Sequence, residues 1–169
     1  MTLREMRTAE KSADVTGSSL RHALQALGAG VVIVTAKGRD GPAGVTVTSF
    51  TPLSLEPPLV SFALGRGSST LPAFVSSGCF AAHVLGADQR RLAERFAVAP
   101  DDRFAPPTDW HEGPRGVPLI RGALAQLICT RHEVLPFGDH HLIVGKVVAV
   151  TRTEHRPALV HHRGALRRL

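Results

Sequence analysis

A mainly β fold, a barrel with helices appended, is the architecture this chain predicts. Segments of strand character outnumber helical ones by about two to one, and most strands follow another strand directly, so the βαβ alternation of a parallel sheet is missing. No GxGxxG opens a helix and no GxxxxGK(S/T) follows a strand, which excludes the usual glycine-rich nucleotide motifs. At 169 residues and 18.0 kDa the chain suits one domain with one core.

Residues 1–17 are polar and read as a flexible N-terminal tail, and residues 18–169 as a single domain. A helix follows the tail, with Ser18 or Ser19 as N-cap, Leu20, Ala23, Leu24 and Leu27 on one face, and Gly28 as its end. Val31 to Ala36 is a buried strand, and Arg39-Asp40-Gly41 turns it into the next. From Gly44 the residues alternate, with Thr46 and Thr48 on one side and Val45, Val47 and Ser49 on the other. A hydroxyl-rich turn follows and closes on Pro57-Pro58, where a regular strand cannot continue. Leu59 to Leu64 is a strand, a short helix starts after Ser69 or Thr70, and Cys79 to Leu85 is the next strand. Asp88 to Phe96 is helical, and a proline-rich irregular stretch runs on to Pro118. Two long strands, Ala123 to Val134 and Leu142 to Thr151, precede a last one near Ala158 to His162.

Composition narrows the function classes. A hydrophobic content of 43% with 20% charged residues describes a folded, soluble protein. The longest apolar run, Val31 to Val34, is far below the roughly 20 residues of a membrane helix, and nothing resembles a signal peptide, so the expected location is cytoplasmic, with no membrane partner. The net charge of +6 comes mostly from scattered arginines without interleaved aromatics, a solvated basic surface and not a nucleic-acid interface. Cys79 and Cys129 sit in apolar strands and read as buried free thiols. His140-His141 and His161-His162 are adjacent pairs; on a strand, neighbours face opposite sides, so each pair offers at most one ligand and no metal is expected.

Two segments carry chemistry. The hydroxyls of Thr46, Thr48, Ser49 and Ser54, beside backbone amides and Phe50, suit a flat, polar-edged ligand that carries phosphate. In Gly65-Arg-Gly-Ser-Ser-Thr70, the glycines allow close backbone approach, Ser68 and Thr70 offer hydroxyls, and Arg66 adds charge before a helix that has Pro72 in its first turn. That segment is either an anion site or an ordinary capped helix after a glycine turn.

Four motifs in order resemble the short-chain flavin reductases, the reductase components of two-component flavin-dependent monooxygenases. They are the strand Gly30 to Thr35, the run from Ser49 to Leu59 (Ser-Phe, then Leu-Ser-Leu-Glu-Pro-Pro-Leu), Gly138-Asp139-His140 between two late strands, and Pro157 to Gly164 near the end. The resemblance spans roughly Ser19 to Leu169. Thr48, His83 and His162 stand where relatives often have Asn, Asn and an aromatic residue.

The resemblance implies a split β-barrel that forms a homodimer and holds FMN or FAD at the subunit interface. Thr46, Thr48, Ser49, Phe50 and Ser54 would line the flavin. Arg66, Ser68 and Thr70 would hold its phosphate, and His140, Arg163 and Gly164 would receive NADH or NADPH. It further implies hydride transfer from the nicotinamide to the flavin, with no catalytic side chain required, and delivery of reduced flavin to a partner oxygenase. A flavin-binding protein without turnover and an oxidase of the pyridoxine-phosphate-oxidase kind are the alternatives on the same scaffold.

Overall fold

The computed structural model describes residues 15–98, 102–153 and 156–169; most of the expected N-terminal tail lies outside the described residues. The first helix, α1 (Gly17–Leu24), is capped by Thr16, ahead of the expected Ser18 or Ser19. The Thr16 hydroxyl accepts from the Ser19 amide at 3.1 Å, and the Ser19 hydroxyl accepts from the Thr16 amide at 3.0 Å, a reciprocal capping box. The helix ends at Leu24, short of Gly28, with tighter bonds from Ala26 to Ala23 and from Leu27 to Leu24. Its expected apolar face is not buried: Leu20, Leu24 and Leu27 are 52%, 54% and 66% exposed. A cap is a local interaction, whereas a buried face needs a partner, and the described residues supply none.

The main sheet has seven antiparallel strands: β2 (Val32–Lys37), β3 (Pro42–Val47), β4 (Thr51–Leu55), β5 (Pro58–Gly65), β6 (Cys79–Val84), β9 (Ala125–Phe137) and β10 (His140–Arg152). Their order is β3-β2-β6-β9-β10-β5-β4, so the two edge strands are consecutive in the chain. The link between them, residues 48–50, brings the Ser49 hydroxyl to within 3.0 Å of the Ala63 amide on β5. The two edge strands therefore adjoin at the corner where this link runs, and the fold is mainly β with appended helices, as the strand succession predicts.

The hydroxyl-rich segment expected as a turn is strand β4, paired to β5 with a bulge between Pro52 and Ser54. Proline lacks a donor, but an edge strand needs donors on one side only, and the bulge absorbs the misfit. The proline-rich stretch also hides a short hairpin, β7 (Trp110–Glu112) with β8 (Pro118–Ile120). A small sheet of β1 (Ala29–Gly30), β11 (Leu159–His162) and β12 (Ala165–Arg168) docks on the main one through Val31, whose amide bonds the Leu159 carbonyl at 3.1 Å.

Phe62 sits at the centre of the interior core with Phe74 and Phe80, each 5.3 Å away and edge-on. All three are buried, worth about 1.5–3 kcal/mol each from area alone. Phe74 comes from α2 (Leu71–Ser76). On the outer face, Ile33, Leu85, Ile120 and Leu159 pack against Ala93 and Phe96 of α3 (Arg90–Val98). Both cysteines are free and buried, as expected, and burial pushes the Cys129 thiol up to about 12.

Candidate functional site

Two motifs 70 residues apart in sequence meet at one end of the sheet. Gly138-Asp139 forms the two-residue hairpin turn between β9 and β10, with Gly138 at φ 54, a conformation glycine adopts without strain. Register then places His140 opposite Gly65, the last residue of β5. The Arg66 amide donates to the Asp139 carbonyl at 2.9 Å, which joins the loop after β5 to the hairpin turn. His140 Nε2 lies 3.8 Å from where a side chain on Gly65 would begin, so the glycine keeps that nitrogen accessible.

His140 is half exposed, and its Nδ1 is 2.7 Å from the Asp139 carboxylate. That hydrogen bond, followed by the charge of the imidazole and then by Arg66, holds the Asp139 carboxyl below its ordinary range. With Nδ1 so occupied, Nε2 is the nitrogen left for a ligand. On the other side of the loop the Ser68 and Thr70 hydroxyls bond each other at 2.9 Å. Thr70 stands at the N-cap of α2 but makes no side-chain cap, so the plain capped-helix reading of this segment does not describe it.

The hydroxyl segment divides. Ser49 extends the edge of β5 through Ala63, and Phe50 stacks on Phe62 with ring centroids 6.5 Å apart. Thr48 is exposed in the link, and Ser54 is half-buried beside the bulge. The Thr46 hydroxyl donates to the Ala93 carbonyl at 2.7 Å and ties α3 to β3. Arg163 and Gly164 form the turn between β11 and β12 at φ 51 and 75, and the Arg163 amide donates to Gln25 at 3.0 Å. They belong to the small sheet, away from the sheet that carries the other candidates.

One functional candidate lay outside the sequence argument. A cleft of about 780 Å³ runs between β3 and the start of α2, lined by Gly44, Ser69, Thr70, Arg103 and Phe104 among others. Arg103 is buried; its Nη1 donates to the Gly44 carbonyl at 2.7 Å, and its Nε has no partner. A buried guanidinium N–H without an acceptor beside a cleft suits an anionic group there. The cleft, the uncapped Thr70 and this unpartnered donor fit a phosphate-bearing ligand. Nothing in the sequence marked Arg103, whose partner lies 59 residues away.

His83, which replaces a common Asn of the resembling family, is not part of this opening. It is fully buried between strands, its Nδ1 3.0 Å from the Ile33 carbonyl and its Nε2 accepting from the Ile120 amide at 3.1 Å. Among the described residues no group of three or more metal-ligating side chains occurs. No helix among them is long and apolar enough to cross a membrane.

Known proteins resemble this chain over most of its length. The flavin reductase like domain matches residues 24–169. The FMN reductase (NADH) SmoA of Agrobacterium fabrum is 44% identical over 138 residues, covering 82% of this chain and 76% of that protein. The reductase component of the 4-hydroxyphenylacetate 3-monooxygenase of Thermus thermophilus is 36% identical over 151 residues, 89% of this chain and 95% of its own length. Among solved structures, the NADH:FAD oxidoreductase SgcE6 of Streptomyces globisporus, in complex with NAD and FAD fragments, superposes with a TM-score of 0.84 at 34% identity, covering 93% of this chain and 97% of that one. With the family match spanning both site motifs and the whole of the main sheet, the chain belongs to the flavin reductase like family.

Proposed function

We propose that this protein is an NAD(P)H:flavin oxidoreductase that reduces FMN or FAD and hands the reduced flavin to a separate oxygenase. The observation that carries the reading is the meeting of the Gly65–Thr70 loop with Gly138-Asp139-His140 beside a cleft that holds an unpartnered buried Arg103. When bound, the flavin supplies the hydride acceptor and the redox chemistry.

The chain's own part is binding and orientation. Arg66, Ser68 and Thr70, with Arg103 across the cleft, hold phosphate. Thr46, Thr48, Ser49, Phe50 and Ser54 form the wall along the ring system, with Thr46 acting mainly through its hold on α3. His140, fixed through Nδ1 by Asp139, offers Nε2 to the nicotinamide nucleotide. Bringing two rings within about 3–3.5 Å in the right orientation supplies most of the acceleration, so no side-chain general acid is required.

A homodimer completes the site: Arg163 and Gly164 sit on the small sheet, and a second copy supplies them to His140. The exposed Leu20 and Leu24 of α1 and Leu27 just beyond it, with Val148 and Val150 at the far end of β10, are the apolar surface such a dimer covers. The protein works in the cytoplasm, where NADH and free flavin are available. NADH oxidation, followed at 340 nm with FMN, FAD or neither, tests the reading. Turnover that saturates with free flavin is expected; no turnover with either flavin and either nicotinamide nucleotide overturns it.

A further inference from the structure

Beyond the cleft, past the turn between β2 and β3, lies a smaller pocket of about 330 Å³ whose lining carries three cations, Lys37, Arg39 and Arg115, and no carboxylate. Among the described residues none of the three makes an ion pair. The pocket is built with local strain. Arg115 holds φ 58 and ψ 21, a left-handed conformation that disfavours any residue with a Cβ by about 1 kcal/mol or more. The hairpin enforces it through the bond from the Gly113 amide to the Val117 carbonyl at 2.8 Å. Gly116, at φ 75, also takes a conformation that favours glycine, and the Lys37 side chain passes close beside it.

An electrostatic role for these cations within the fold does not account for them. The end of α2 contributes carbonyls at Ser76 and Ser77, but a helix terminus carries roughly half a negative charge, and this helix has only six residues. Lys37 Nζ and Glu112 Oε1 lie 3.1 and 3.2 Å from where a Gly116 side chain would begin, so Lys37 has one carboxylate nearby, while neither Glu112 nor Asp40 lines the pocket. The Ser76 and Ser77 hydroxyls donate to the Pro72 and Cys79 carbonyls, so these two hydroxyls are already engaged. Cys79 forms part of the wall as a buried free thiol, and the pocket shares Arg39 and Ser76 with the larger cleft.

The geometry points to a second anion site here, for a small ligand of the pyrophosphate or phosphate-monoester class. Arg115 and Arg39 supply planar forks that match phosphate oxygens, and Lys37 adds a further positive charge to the lining. A volume of about 330 Å³ is at the small end of ligand pockets, enough for a phosphorylated fragment and too little for a dinucleotide. The site does not rest on the flavin reading, and a protein with no NADH turnover would retain it.

Calorimetric titration of inorganic pyrophosphate into the full chain, at ionic strength held constant with chloride, tests the assignment. Saturable binding is expected. Arg115→Gly and Lys37→Met should each weaken it about tenfold or more, the loss of one charge-assisted contact. Glycine suits φ 58, so Arg115→Gly keeps the fold and is expected to raise the melting temperature without ligand. Arg152→Ala should leave pyrophosphate binding within about twofold, because Arg152 is exposed on β10 and lines neither this pocket nor the cleft. Absence of saturation above the chloride control overturns the assignment, as does wild-type affinity in either of the first two variants. A tenfold loss in Arg152→Ala would mean attraction by the overall basic surface and overturn it equally.

Discussion

His83 and His140 both sit on strands of the same sheet, and they are opposites. His83 is fully buried with both ring nitrogens bonded, one to the Ile33 carbonyl and one to the Ile120 amide. His140 is half exposed, with one nitrogen held by Asp139 and the other open beside Gly65. A ring satisfied at both ends is a strut between strands. A ring satisfied at one end is oriented and still able to bind. Burial alone does not distinguish structure from function here; the count of unspent donors and acceptors does. Arg103 follows the same rule, since it is buried yet keeps an unspent Nε.

The largest expected effect breaks the strut. His83→Ala leaves the Ile120 amide buried without its partner and opens a cavity, so unfolding free energy in urea should fall by about 3–5 kcal/mol. A loss below about 1 kcal/mol would mean that His83 is no strut.

Acid titration of stability comes next. Burial pushes the His83 imidazole down to about 4, from 6.5 when unfolded. Between those values the unfolded chain binds more protons than the folded one, so stability rises with pH. The contribution is fully present above about pH 6.5 and is lost as pH falls from 6.5 toward 4, amounting to about 3 kcal/mol. In His83→Gln this part of the pH slope should vanish, which urea unfolding between pH 4 and 7 measures.

His140→Ala tests the other member of the pair. Stability should change by no more than about 0.5 kcal/mol, while kcat/KM for NADH falls about tenfold or more. A fall in stability with unchanged steady-state constants would reverse the two roles. The smallest effect belongs to Asp139→Asn, which keeps an acceptor for Nδ1 but removes the charge. A rise in KM for NADH of a few-fold is expected, with the flavin constants unaltered.

Flavin binding itself has a built-in probe. Trp110, the sole tryptophan, packs edge-on against Phe104 at 5.3 Å, and Phe104 lines the cleft. Its emission should be quenched on adding FMN or FAD.

Local patterns were the legible part of this fold. Val32 to Lys37, Cys79 to Val84 and the two long strands announce themselves by apolar runs and turn residues, and the Gly138-Asp139 hairpin by its glycine. Where the sequence misleads, one signal has two meanings. Pro52 suggests a turn, yet a proline also suits an edge strand, and β4 is one, whereas Pro57 does mark a turn, at residues 56–57. Leu20, Leu24 and Leu27 have the spacing of a core face, but spacing says only that they share a side, not what covers it.

The sequence by itself determined the strand succession, the turn chemistry, the order of the four family motifs and the residue types at the opening. Those depend on side-chain alternation and backbone preference within a few residues. Only the tertiary structure decided that Gly65 faces His140, that Thr46 is tied to α3, and that Arg103 reaches Gly44 with one donor left over. Such contacts depend on sheet register and on the closure of long loops, and register is set by all the strands together rather than by any one of them.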